Sequence, residues 1–134
     1  MLACTTIIEA SLRQKFREQF DFTLPRFEVL AQLDREPGGI VLGELSKRLM
    51  VSAGNMTPII ERLIKDGLIT RVPSSLDRRL QIVCLTIDGR KKFRRMAKKN
   101  GEWLASTFES FSLEEIQDLT ERLVRLKRAV NNST

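Results

Sequence analysis

Histidine is missing from this 134-residue chain. That removes the commonest general base and the commonest metal ligand. Cysteine is scarce: only Cys4 and Cys84 are present, far apart in sequence, and two such residues without histidine cannot assemble an ordinary zinc site. There is no glycine-rich phosphate loop and no nucleophile motif, and these gaps together point away from an enzyme. No apolar run approaches the roughly 20 residues of a bilayer span, so no membrane partner is expected. The opening Met-Leu-Ala-Cys looks like a lipoprotein cleavage box, but the three residues before Cys4 leave no room for a basic and an apolar region. The expectation is a cytoplasmic protein with reduced thiols and no cofactor or metal.

What is present is positive charge, unevenly placed. The net charge is +6. Residues 1–39 carry a net −1, residues 40–100 a net +9 and residues 101–134 a net −2. A cationic block between near-neutral ends is the electrostatic footprint of a nucleic-acid surface, although it also serves solubility alone.

Periodicity predicts a mainly α protein with a small β-wing. A first helix over 5–20 places Ile8, Leu12, Phe16 and Phe20 on one stripe. Thr23-Leu24-Pro25 starts a second helix with Leu24, Phe27, Leu30 and Leu33 or Ala31 inward, and Glu36-Pro37-Gly38-Gly39 stops it. Ile40-Val41 is short enough only for a sheet edge. Gly43–Leu49 and a helix from Ser52 to Asp66 flank the break Met50-Val51-Ser52, giving a helix-turn-helix. Met56, Ile59, Ile60 and Leu63 form the inner face of its second helix, and Gly67 caps it. Pro58 either distorts that helix or follows a later start capped by Thr57. A hairpin spans 68–86, Thr86 caps a long helix over 87–108, and Ser112-Leu113-Glu114-Glu115 opens the last helix as a capping box.

Three features carry candidate function. The first is the helix from Ser52 to Asp66. Its outward face holds Gly54, Pro58, Glu61, Arg62 and Lys65, with Asn55 and Thr57 on the flanks and Ser52 as N-cap. Amide, hydroxyl and guanidinium groups suit base edges and phosphates in a major groove, although any solvent-facing helix is polar. The second is the hairpin tip. Guanidinium groups are drawn to a narrow minor groove; Asp77 sits two residues before Arg79 and is expected to hold it, leaving Arg78 for DNA. The third is the last helix, where Ile116, Leu119, Leu123, Leu126 and Val130 are spaced as a heptad seam. One helix cannot bury that seam on itself. It either pairs within the chain or, with Ile8 and Leu12 of the first helix, builds a homodimer interface.

These residues resemble a known family. The stretch LxELSKRLxVSxGNxTxxIxRLxxxGLIxR over Leu42–Arg71, then DRRxxxVxLTxxG over Asp77–Gly89, is similar to the MarR family of winged helix-turn-helix regulators. The resemblance implies a DNA-binding lobe over 36–88, dimerisation helices over 1–22 and 100–134, and a homodimer on a pseudo-palindromic double-stranded operator. By position, Ser52, Asn55, Thr57, Arg62, Arg78 and Arg79 match the family's DNA-contacting sites, with Asp77 as wing support; Pro58 departs from the pattern. FDFTLPRFEVLAQLDREPGG followed by VSAGNMT looks like a narrower branch that controls aromatic-acid breakdown, some members answering to the CoA thioester. That implies a repressor released by a small-molecule effector, for which Arg13, Arg17, Arg26 and the basic cluster over 90–99 are the cationic candidates. Some relatives sense oxidants through a cysteine in the first helix. Around Cys4 there are only Thr5 and Thr6 and no motif that marks a reactive thiol, so Cys4 is expected to be inert and Cys84 a packing residue. A winged helix used for protein contacts, or an architectural DNA binder without an effector, are the competing classes.

Overall fold

The computed structural model describes residues 2–133. Six helices and three short strands follow in the order α1 (Leu2–Phe20), α2 (Leu24–Asp34), β1 (Ile40–Val41), α3 (Leu42–Leu49), α4 (Ala53–Lys65), β2 (Ile69–Pro73), β3 (Gln81–Leu85), α5 (Ile87–Thr107) and α6 (Leu113–Ser133). They form two compact units, residues 1–97 and residues 98–134, with the boundary inside α5. Among the described residues no helix is long and apolar enough to cross a membrane.

The first unit owns the core. Phe16, Val29, Leu30, Leu33, Leu45, Ile60, Leu63, Val83 and Met96 are fully enclosed, and Met56 and Ile69 nearly so. Phe16 and Phe27 stack with ring centroids 4.7 Å apart, and Phe27 meets Phe93 at 5.3 Å, which ties α1, α2 and the start of α5 together. Val29 is buried although the helical stripe read from the sequence omitted it, because α2 is covered on more than one side. Leu24, expected inward, is only half-buried.

Local chemistry explains the breaks. Asp21 takes the left-handed conformation at φ 50°, which a short polar side chain tolerates, and so turns the chain out of α1. Thr23 Oγ1 accepts from the Arg26 N–H at 3.4 Å and Pro25 sits in the first turn of α2. Met50, also left-handed at φ 55°, makes the turn between α3 and α4. Gly67 (φ 74°) follows the end of α4, and the Leu68 N–H returns to the Leu63 carbonyl at 3.0 Å.

The sheet has the order β1-β3-β2, antiparallel throughout. Ile40-Val41 does pair at an edge, Ile40 opposite Val83. Gly39 feeds that edge at φ 91°, and a Cβ there would run into the Cys84 sulfur and the Ile82 side chain, so only glycine fits. Pro73 opposite Gln81 is the last pair of the hairpin. The tip is therefore a seven-residue loop, residues 74–80, longer than a tight turn.

In the second unit the expected capping box is formed: the Ser112 N–H donates to Glu115 Oε1 at 2.9 Å and the Glu115 N–H to Ser112 Oγ at 3.1 Å. No residue of α6 is buried.

Candidate nucleic-acid interface

Helix α4 is one continuous helix, which settles the question raised by Pro58. Ser52 is its N-cap, with Oγ accepting from the Asn55 N–H at 3.3 Å. A later start capped by Thr57 is excluded, because the Thr57 hydroxyl donates back to the Ala53 carbonyl at 3.0 Å, deep in the first turns. Pro58 removes one backbone bond to residue 54, a glycine whose side has open space. Met56, Ile60 and Leu63 point into the core, while Ile59, expected with them, is only half-buried. Ser52, Asn55, Thr57 and Arg62 are all exposed. Asn55 and Arg62 lie seven positions apart, hence on one face about two turns along. Arg62 is engaged: its Nε donates to both Asp66 carboxylate oxygens, at 3.1 and 3.3 Å.

The loop after β2 is ordered by its own polar groups. Asp77 Oδ1 accepts from the Arg79 backbone N–H at 3.0 Å and from Arg79 Nε at 3.2 Å, while Oδ2 accepts from Nη2 at 3.2 Å. This is an Asx turn closed by a bidentate ion pair. The Leu80 N–H also returns to the Asp77 carbonyl at 3.0 Å. No residue from 74 to 80 has positive φ, so the loop does not need the glycine or asparagine that a two-residue hairpin turn demands. Arg78, between the two paired residues, is exposed, and among the described residues no carboxylate pairs with it. The arginine hydrogen bonds hold the Asp77 carboxyl below its ordinary range. A carboxyl with a depressed pKa contributes order above its ordinary range and loses it as the pH falls through the folded value. Asp77→Ala is expected to lower the melting temperature at pH 7 only slightly, since the pair is solvent-exposed, yet to weaken duplex binding several-fold by loosening the loop. A thermal scan beside a binding titration checks both, and the difference from wild type should vanish once acid protonates Asp77.

The three arginines named as effector candidates are brought together. Arg13 and Arg17 of α1, Arg26 of α2 and Arg62 of α4 line one cleft of about 610 Å³ in the first unit. Phe22, Leu24, Pro25, Pro58 and Ile59 give it apolar walls, and Asp21 is its one carboxylate. Arg62 was read from the sequence only as a DNA contact. Its second position, on the wall of a cleft, follows from how α4 packs and leaves no trace in residue spacing. No residue of the basic cluster over 90–99 lines this cleft, although Lys92 Nζ lies 5.0 Å from the ring centroid of Phe22, one of its walls.

Four of the six residues named for a dimer interface are exposed in the single chain. Ile8 is 36% exposed, Leu119 38%, Leu123 49% and Leu126 41%, while Leu12 and Ile116 are half-buried. Cys4 is exposed and Cys84 is half-buried within β3.

Comparison with known proteins agrees with this geometry. The family model described as MarR family matches residues 22–80. An uncharacterized HTH-type transcriptional regulator of Bacillus subtilis, YsmB, is 34% identical over 123 residues, covering 90% of this chain and 84% of YsmB. The transcriptional activatory protein BadR of Rhodopseudomonas palustris is 33% identical over 113 residues, covering 82% of this chain and 63% of BadR. Among solved structures, Streptococcus pneumoniae FabT in complex with DNA superposes with a TM-score of 0.80 at 22% identity, over 99% of this chain and 94% of FabT. The relatives are regulators and not enzymes, and the chain belongs to the MarR family of DNA-binding winged-helix transcriptional regulators.

Proposed function

We propose that the protein is a homodimeric repressor of a pseudo-palindromic operator, released by an anionic aromatic effector. The observation that carries the DNA reading is the loop tip: a clamp between Asp77 and Arg79 fixes the backbone while Arg78 is exposed, with no carboxylate partner among the described residues. A guanidinium held this way suits the negative potential of a narrow minor groove. Helix α4 lies in the major groove. The Ser52 hydroxyl, whose oxygen already accepts from Asn55, keeps its hydrogen to donate to a phosphate. Asn55 offers an amide to a base edge and Arg62 a guanidinium to base or phosphate. The Thr57 hydroxyl hydrogen is committed to Ala53, which leaves its methyl and oxygen lone pairs for contact. Arg79 supports the loop more than it reads DNA.

Two copies place two such sets on half-sites about one helical turn apart, roughly 34–36 Å. The exposed α6 seam and the α1 stripe are the surfaces that join them. FabT, of the same fold, is known bound to DNA, which supports this docking. The experiment is an anisotropy titration against a duplex selected from a random library. Affinity should fall steeply with salt as counterions are released. Arg78→Ala should cost about 1–3 kcal/mol per half-site; an unchanged affinity overturns the minor-groove role, and binding flat in salt favours a protein adaptor.

The effector seat is the cleft of Arg13, Arg17, Arg26 and Arg62. Its size suits a small ligand, its walls take a ring and its arginines a carboxylate or thioester phosphates. A bound anion competes with Asp66 for Arg62 and so pulls on α4 from behind. It releases DNA because it binds the shifted form better. Arg13→Ala with Arg17→Ala is expected to leave operator affinity within about twofold while raising the benzoate, hydroxycinnamate or CoA-thioester concentration needed for release by roughly a hundredfold, a loss of two charge-assisted contacts. A release titration on the same duplex measures it, and an unshifted curve removes those arginines from the ligand site.

A further inference from the structure

The loop tip carries a second feature that charge does not explain. Leu76 is 97% exposed, the most exposed large apolar side chain among those described, and it directly precedes Asp77. Single exposed leucines are ordinary on protein surfaces. This one is mounted. Its backbone N–H donates to Ser74 Oγ at 3.2 Å, Ser74 is itself buried, and the Ser74 N–H donates to the Leu80 carbonyl at 2.8 Å. On the other side the Asx turn of Asp77 fixes the chain. The Leu76 backbone is thus held from both flanks while its side chain touches water.

We infer that Leu76 packs against the deoxyribose wall of the minor groove that receives Arg78, and so sets how deeply the tip is seated. The inference rests on the proposed minor-groove docking of the loop. The floor of that groove offers hydrogen-bond acceptors, which suit the guanidinium and not a leucine. Its walls are the C–H faces of the sugars, an apolar surface that narrows where the groove attracts arginine. Two side chains of opposite character, two positions apart on one fixed loop, match floor and wall. Because the loop is already ordered, little conformational entropy is lost when the contact forms.

The test uses the full-length protein and one selected operator duplex, with Leu76→Ala, Leu76→Ser and Arg78→Ala. None of these side chains is in the core, and equal melting temperatures confirm the fold. Leu76→Ala and Leu76→Ser should each weaken binding by roughly fivefold to tenfold per dimer, as expected for partial burial of a leucine at two sites. The slope of log K against log salt should stay that of wild type, because no positive charge is lost, whereas Arg78→Ala removes one and should flatten it. Wild-type affinity for both Leu76 variants, with Arg78→Ala still weakened, overturns the wall contact and leaves the docking intact. Wild-type affinity for all three overturns the docking itself. A duplex with 2-aminopurine at the tip's site reports unstacking: a fluorescence rise on binding that disappears in Leu76→Ala means insertion between bases, which also overturns the wall contact.

Discussion

Leu119→Asp combined with Leu123→Asp in α6 is expected to yield a folded monomer that has lost operator binding by at least about a hundredfold. Both leucines are substantially exposed in the single chain, and no residue of α6 is buried, so neither change touches the core around Leu30, Leu45 and Ile60. The substitutions instead put charge into a seam spaced for a partner helix, where a desolvated carboxylate is strongly unfavourable. A dimer engages the second half-site as an intramolecular event, and linking two sites in this way is worth about 10²–10⁴ in apparent affinity. Light scattering at about ten micromolar and an operator titration, with helix content checked by circular dichroism, give the result. A variant that stays dimeric removes α6 from the interface. A monomer that binds as tightly as wild type removes the two-fold docking.

Gly89→Ala is expected to destabilise the protein by about 3 kcal/mol, the upper range of overpacking effects, lowering the melting temperature by roughly 10 °C. Helix α5 begins against the end of α4. The Thr86 hydroxyl donates to the Gly67 carbonyl at 2.7 Å and accepts from the Gly89 N–H at 2.9 Å, while the Thr86 N–H donates to the Leu68 carbonyl at 3.0 Å. These bonds draw α5 so close that a Cβ on residue 89 would overlap the Leu68 carbonyl oxygen and crowd its Cα. The obstacle is backbone, which cannot rotate away as a side chain would. Space is the constraint here, since Gly89 does not need positive φ. Calorimetry reads the change directly. A variant as stable as wild type would mean that α5 can shift along its axis without cost. Because the same contact supports the hairpin that follows Leu68, the variant should also bind DNA more weakly at temperatures where it is still folded.

Much of this architecture is written in short-range patterns. Thr23, Ser52, Thr86 and the box of Ser112 and Glu115 cap helices through atoms a few positions away, so their roles are readable from neighbouring letters. The Asp77–Arg79 pair spans two residues and was legible for the same reason. The cationic middle of the chain and the leucine spacing of α6 likewise needed no coordinates to point toward DNA and a partner helix.

Other features arise only where distant segments meet. The burial of Val29 depends on several elements closing over α2, and no periodicity of one helix encodes it. Convergence of Arg13, Arg17 and Arg26 with Arg62 on one cleft joins three helices, and it puts Arg62 on a cleft wall as well as on the exposed side of α4. The need for glycine at 89 comes from a carbonyl twenty-one positions earlier in the chain. Capping and charge depend on local sequence, and so one strand of letters suffices to read them. Packing and cavities depend on which surfaces exclude water from one another, and that is decided only when the chain closes on itself.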